Sequence, residues 1–206
     1  MELLLHTFVT LFVVLDPIGL APMFVALVRS SDTGYQRRMA IRSTVIASSI
    51  LLVFFFVGDA LLKILGIGMP AFRMAGGALL FLLSIDMVFA RQSGLRSTTV
   101  REQQEAELKR DISVFPLAFP LIAGPGALTT VLLMSSTETS PAVVGGMLAI
   151  LLFVLSILLV SLLYALKITR LLGETGTNVI SRLFGLILAA LAAQYIVDGI
   201  RAAFLS

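Results

Sequence analysis

Apolar residues along this chain fall into six blocks of about twenty, near Leu3–Val28, Ala40–Leu62, Pro70–Ala90, Ile112–Ser135, Ala142–Leu166 and Val179–Ala202, and the charged residues gather between them. A helix rises about 1.5 Å per residue, so each block can cross the roughly 30 Å hydrocarbon core of a bilayer. The pattern predicts an all-α integral membrane protein of six transmembrane helices, forming a single membrane domain over 1–206. Composition agrees, because a mean hydropathy of +1.04 with 58% hydrophobic and 13% charged residues leaves too few polar side chains to cover a soluble surface. The first block opens Met1-Glu2 without a basic residue and is interrupted at Asp16-Pro17, so it is expected to be a retained span rather than a cleaved leader.

Charge sets the expected orientation. The intervals after the first, third and fifth blocks, with their flanks, hold Arg29, Arg37, Arg38, Arg42, Arg91, Arg96, Arg101, Lys109, Arg110, Lys167, Arg170 and Arg182, whereas the opposite side holds only Lys63, Arg73 and Arg201. The positive-inside rule places the richer side in the cytoplasm and both termini outside. Because these arginines sit beside spans and not along one basic face, the net charge of +3 does not signal nucleic acid. The longest polar interval, 91–111, reads as a charged cytoplasmic linker between a first three-helix repeat, 1–90, and a second, 112–206. A regulatory or partner-binding role for it is the alternative.

Two proline–glycine interruptions stand inside otherwise uniform blocks. The first is Asp16-Pro17-Ile18-Gly19-Leu20-Ala21-Pro22 and the second is Pro120-Leu121-Ile122-Ala123-Gly124-Pro125-Gly126, with Pro17 and Pro22 matched to Pro120 and Pro125 at an offset of 103 residues. Arg73-Met74-Ala75-Gly76 and Arg182-Leu183-Phe184-Gly185 give a second match, at an offset of 109. Three spans per copy is an odd number, so two copies must lie inverted, with helices one and four broken near mid-membrane. Each proline removes a backbone donor and crowds the carbonyl four residues earlier, and glycine eases departure from helical dihedrals. Backbone freed in this way needs protein or a polar cavity around it. Matched interrupted spans point to a carrier's binding region, although kinking for packing alone is the structural alternative.

Asp16 is costly in a bilayer and has two readings, which can coexist: cap of the helix that starts at Pro17, or contact with protons or a substrate amine. Thr129 and Thr130 follow the second interruption by about one turn, where their hydroxyls either meet a solute or bond back to their own helix. Asp59, Asp86 and Asp198 are expected at interfaces, Arg73 and Arg182 to snorkel, and Gly76-Gly77 and Gly145-Gly146 to provide close helix packing. With no cysteine and a single histidine, no thiolate, disulfide or histidine-cluster metal chemistry is available. Gly124-Pro125-Gly126 lacks the preceding strand and the basic helix start of a phosphate-binding loop, so no cofactor is expected.

The segment Asp16 to Pro22 followed by Phe24, together with Phe115-Pro116-Leu117-Ala118-Phe119-Pro120-Leu121-Ile122-Ala123-Gly124-Pro125-Gly126-Ala127-Leu128-Thr129, resembles the first- and fourth-span motifs of the MarC family of bacterial inner-membrane proteins. The resemblance covers nearly the whole chain. It implies relatedness to carriers of small neutral amino acids such as alanine or glycine, with a path around Asp16, Pro17, Gly19 and Pro22 facing Pro120, Gly124, Pro125 and Gly126, to which the residue reading adds Thr129 and Thr130 as candidates. The expected activity is secondary transport of a small zwitterion by alternating access, coupled to protons or sodium, and not enzyme catalysis. Its expected partners are membrane lipids and that zwitterion, with no nucleic acid; a homo-oligomer stays open. A non-transporting scaffold or regulator and an intramembrane enzyme are the competing readings. The second lacks a serine–histidine or histidine–metal constellation.

Overall fold

The computed structural model describes residues 2–28, 31–89, 111–137 and 140–204, so the charged stretch 91–111 lies, apart from Asp111, outside the described residues. In chain order the helical segments are α1 (Glu2–Leu15), α2 (Pro17–Leu27), α3 (Thr33–Ile64), α4 (Met69–Phe89), α5 (Ser113–Ile122), α6 (Pro125–Thr137), α7 (Pro141–Leu163) and α8 (Ala165–Phe204). Among the described residues, five runs are long and apolar enough to cross a membrane: Glu2–Leu27, Thr33–Ile64, Met69–Phe89, Pro141–Leu163 and Thr175–Phe204. The bent pair α5–α6 makes a sixth if it counts as one span.

Local chemistry explains the ends. Asp32 caps α3, its Oδ2 accepting from the amides of Gly34 at 3.0 Å and Tyr35 at 3.3 Å. The helix therefore starts well before Ala40, carries Arg37, Arg38 and Arg42 on its first turns and runs for 32 residues. Pro141 occupies the first turn of α7, where a missing amide costs nothing. Gly173 has φ 65° and ψ 178°, a conformation that favours glycine, and it divides α8 into a short arm and the membrane span.

The two interruptions differ in kind, which corrects the expectation of matching unwound stretches. In the first run only Asp16 leaves the helix. Pro17 opens α2 and Pro22 lies inside it, so Glu2–Leu27 stays a single 26-residue run. In the other the departure covers all of α5, upstream of Gly124. Phe115 and Phe119 are extended there (φ −129°, ψ 126° and φ −135°, ψ 129°), the Phe115-Pro116 and Phe119-Pro120 bonds are cis, and amides reach back five residues, from Leu117 to the Ile112 carbonyl at 3.3 Å and from Ala123 to that of Ala118 at 2.8 Å. The sharp bend of the chain, 59°, lies between α5 and α6, the fifth and sixth segments.

In the most apolar window of Glu2–Leu27, 56% of residues are buried, against 33% or fewer in the other four straight spans, so α1–α2 is central and the rest form a shell. Residues 121–124 between α5 and α6 are buried as well. The shell turns large side chains such as Leu5, Val53, Phe56 and Ile64 outward, as lipid contact requires. Helix packing is symmetric. The first run lies on α7 and α8 as α5–α6 lies on α3 and α4, while α3 on α7 and α4 on α8 each map onto themselves; α1 also touches α6.

At the arginine-rich end, Arg42 of α3 pairs with Asp111, tying the chain just before α5 to α3. Asp111 Oδ1 also accepts from the hydroxyl of Ser113 at 2.6 Å and from its amide at 3.0 Å. The Ser113 hydroxyl, then its amide, then Arg42 and Arg38 hold this carboxyl below the usual aspartate range against a smaller opposing effect of burial. A carboxyl whose folded value is depressed contributes stability above its unfolded value and loses it as pH falls through the folded one. Because both side chains are about half exposed (56% and 42%), the expected contribution is at most about 1 kcal/mol and shrinks in salt. Asp111→Asn should melt slightly below wild type near pH 7, and the gap should narrow as acid titration passes below the usual aspartate range. A gap that persists at the acid end would assign it to packing.

Candidate functional site

Asp16 is 2% exposed and holds φ 43°, ψ 66°, a left-handed conformation that aspartate tolerates better than most side chains. This turn aims its carboxylate along α2, where Oδ1 accepts from the Gly19 amide at 3.0 Å. Capping is thus one role of Asp16. A Cβ on Gly19 would run into Asp16 Oδ2 and come within 2.8 Å of Ser181 Oγ, so the fit depends on glycine. Pro17 is buried, Pro22 half-buried. Ser161 of α7 donates its hydroxyl to the Pro17 carbonyl from 144 residues away, holding the first interruption against the second half of the chain.

Across the centre, Gly126 is buried where a Cβ would meet Leu80 and Leu83 of α4 and, at 3.8 Å, Val14 of α1. Val14 and Gly126 are therefore where the two interrupted segments adjoin. Gly124 packs on its own loop, a Cβ there colliding with the Pro120 carbonyl, while its carbonyl accepts from Leu128 at 3.0 Å. Pro120 and Pro125 are half-buried on either side. Thr129 is 4% exposed and lies on Gly76 of α4. Thr130 is fully buried, and its Oγ1 has no hydrogen-bond partner among the described residues. A buried hydroxyl left unsatisfied costs about 1–3 kcal/mol.

Of the ten residues singled out from the sequence, six are buried and four, Gly19, Pro22, Pro120 and Pro125, are half-buried, and they do not form one shell. The Asp16–Gly19 corner faces α7 and α8, whereas Thr129 faces α4. Sequence reading missed Ser161 and Ser181; hydroxyls within apolar spans were the available signal. The glycines equated at an offset of 109 also part company, since Gly76 meets Thr129 and Gly185 meets Met87 and Val88. Asp59 and Asp198 are held locally, by Lys63 at 2.6 Å and Gln194 at 2.8 Å. Among the described residues no group of three or more His, Asp or Glu side chains could hold a metal ion.

Apolar spans with outward-facing hydrophobic side chains, packed around a buried, interrupted centre, define a multi-spanning helical membrane protein. The chain belongs to the MarC family: the profile described as "MarC family integral membrane protein" matches residues 1–204. It is 35% identical over 206 residues to a UPF0056 membrane protein of Buchnera aphidicola subsp. Schizaphis graminum, covering 99% of each chain. It is 33% identical over 204 residues to the UPF0056 membrane protein YvbG of Bacillus subtilis strain 168, covering 98% of this chain and 95% of that one. With the UPF0056 inner membrane protein YhgN of Escherichia coli K12 it shares 35% identity over 193 residues, 94% of this chain and 93% of the other. No solved structure matches it significantly.

Proposed function

We propose that this protein is a secondary carrier for small neutral amino acids of the alanine or glycine type, embedded in the bacterial inner membrane with both termini outside. Two inverted three-helix repeats, 1–90 and 112–206, exchange conformations around a central site and are driven by a proton or sodium gradient. The observation that carries this reading is the buried junction of two interrupted segments inside a packing scheme that maps onto itself. A pseudo-symmetric pair has two equivalent ways to close, which is what alternating access needs.

The chemistry offered suits a zwitterion. Asp16 provides negative charge for an ammonium group. The first turn of α6 carries amides without an acidic residue, a suitable place for a carboxylate. Gly19, Ser161, Ser181, Gly124 and Thr130 are small, which favours a small solute.

The direct test is flux of labelled alanine and glycine in liposomes containing the purified protein, with pH and sodium gradients imposed separately. Protein-dependent flux of at least one is expected, and none of either would overturn the proposal. Thr130→Val probes the site itself. Removing an unsatisfied buried hydroxyl should leave thermal stability unchanged or raise it by about 1 kcal/mol, while loss of one solute contact should cut alanine flux about tenfold. Undiminished flux would remove Thr130 from the path.

A further inference from the structure

Away from the central site, a cavity of about 460 Å³ lies where the end of α2 and the start of α3 meet the α7–α8 corner. That is the size of a small-molecule pocket. One wall is apolar, built from Phe24 and Val25 on one side and Leu162 and Leu163 on the other; Arg37 and Lys167 stand on its lining, which contains no acidic residue among the described residues. Among the described residues neither cation is ion-paired. Lys167 Nζ lies 5.2 Å from the centre of the Tyr164 ring. Two nearby polar groups are engaged: Gln36 donates to the Val28 and Ser31 carbonyls, and the Asp32 carboxylate accepts from the amides of α3.

We infer that this cavity seats an anionic phospholipid, its headgroup phosphate held between Arg37 and Lys167 and the upper part of one acyl chain lying along the apolar wall. The occupant follows from two complementary features. Two cations without an ion-pair partner among the described residues call for an anion, and an apolar wall beside them calls for hydrocarbon attached to it. The rim is open to lipid, with Leu163 at 40%, Tyr164 at 52% and Leu166 at 39% exposure. Basic pockets between transmembrane helices at their interfacial ends recognise lipid headgroups in this way. Because one cation comes from each half of the chain, the lipid would join the α2–α3 corner to the α7–α8 corner. The inference rests on the membrane setting and is independent of the carrier reading.

The test uses the full-length protein in detergent, equilibrated with equal amounts of phosphatidylglycerol and phosphatidylcholine, washed, and analysed for retained lipid by mass spectrometry. Wild type should retain phosphatidylglycerol in clear preference, and the preference should collapse in molar salt. Arg37→Gln and Lys167→Gln should each weaken retention about fivefold and the pair about thirtyfold, whereas Lys63→Gln at the opposite end should change nothing. Arg37→Lys with Lys167→Arg should retain the lipid, which separates lost charge from lost folding. Equal retention of both lipids by wild type, a preference indifferent to salt, or undiminished binding by a folded double glutamine variant would each overturn the inference. Displacement by free glycerol 3-phosphate at the same concentration would overturn it too, since the hydrocarbon would then contribute nothing.

Discussion

Gly77→Leu is expected to separate α4 from α8 and to be the most destabilising single substitution in the shell. The two helices run antiparallel and touch through glycine at three levels. A Cβ on Gly77 would stand 2.8 Å from the Ala192 carbonyl oxygen and 3.1 Å from the Ile196 amide; one on Gly185 would stand 3.0 Å from the Val88 amide, and one on Gly199 2.9 Å from the Pro70 carbonyl oxygen. These neighbours are backbone atoms, so a rotamer change cannot relieve the overlap and a helix must move. Membrane helices lack a hydrophobic drive toward one another and rely on such close approach for attraction. Overpacking typically costs about 1–3 kcal/mol, and leucine adds further atoms where even the first does not fit. Gly145→Ala is the control: a Cβ there meets nothing within 4 Å, and alanine gains roughly 1 kcal/mol in helix propensity. Thermal unfolding of the purified variants should show a large fall for the first and a small rise for the second. A Gly77→Leu protein as stable as wild type would mean that the α4–α8 contact is looser than described.

Asp16→Ala should cost about 2–3 kcal/mol, from two separable sources. Loss of the carboxylate that accepts from Gly19 removes a helix cap worth about 1 kcal/mol. Holding alanine in the left-handed conformation at φ 43° adds roughly 1–2 kcal/mol. Asp16→Asn retains an acceptor oxygen and tolerance of that conformation, and should lose less than about 0.5 kcal/mol. The pair therefore separates architecture from charge. If Asp16 also serves the proposed transport, the asparagine variant will be folded yet will lose coupling to an imposed pH gradient while retaining amino-acid exchange. Equal stability of the alanine and asparagine variants would exclude the capping role. Full coupling in the asparagine variant would exclude the charge from transport.

The legible part of this structure was its linear pattern. Blocks of apolar residues gave the spans to within several residues, missing most at α3, where the Asp32 cap starts a helix that projects beyond the apolar block, and at α8, where the arm before Gly173 joins the run. Proline and glycine marked where the regular helix is left, at Asp16 and around α5, because each acts on its own stretch of backbone. Their local outcomes were not legible. Pro17 was accommodated at a helix start and Pro22 inside a helix, whereas Phe115 and Phe119, each just before a proline that disfavours the helical region, became the extended residues of α5.

Sequence by itself determined that the chain lives in lipid, roughly where it crosses, and where its helices are vulnerable, since length, hydropathy and backbone chemistry are properties of short segments. Tertiary structure alone decided that the first run is central, that Ser161 and Ser181 reach the Asp16 corner, that Gly76 and Gly185 meet different partners, and that Arg37 and Lys167 share a cavity. The physical reason is that a span in hydrocarbon is apolar on every side. The hydrophobic stripe that marks a buried face in water is absent, and side-chain shape, glycine contacts and a few hydroxyls choose the neighbours instead.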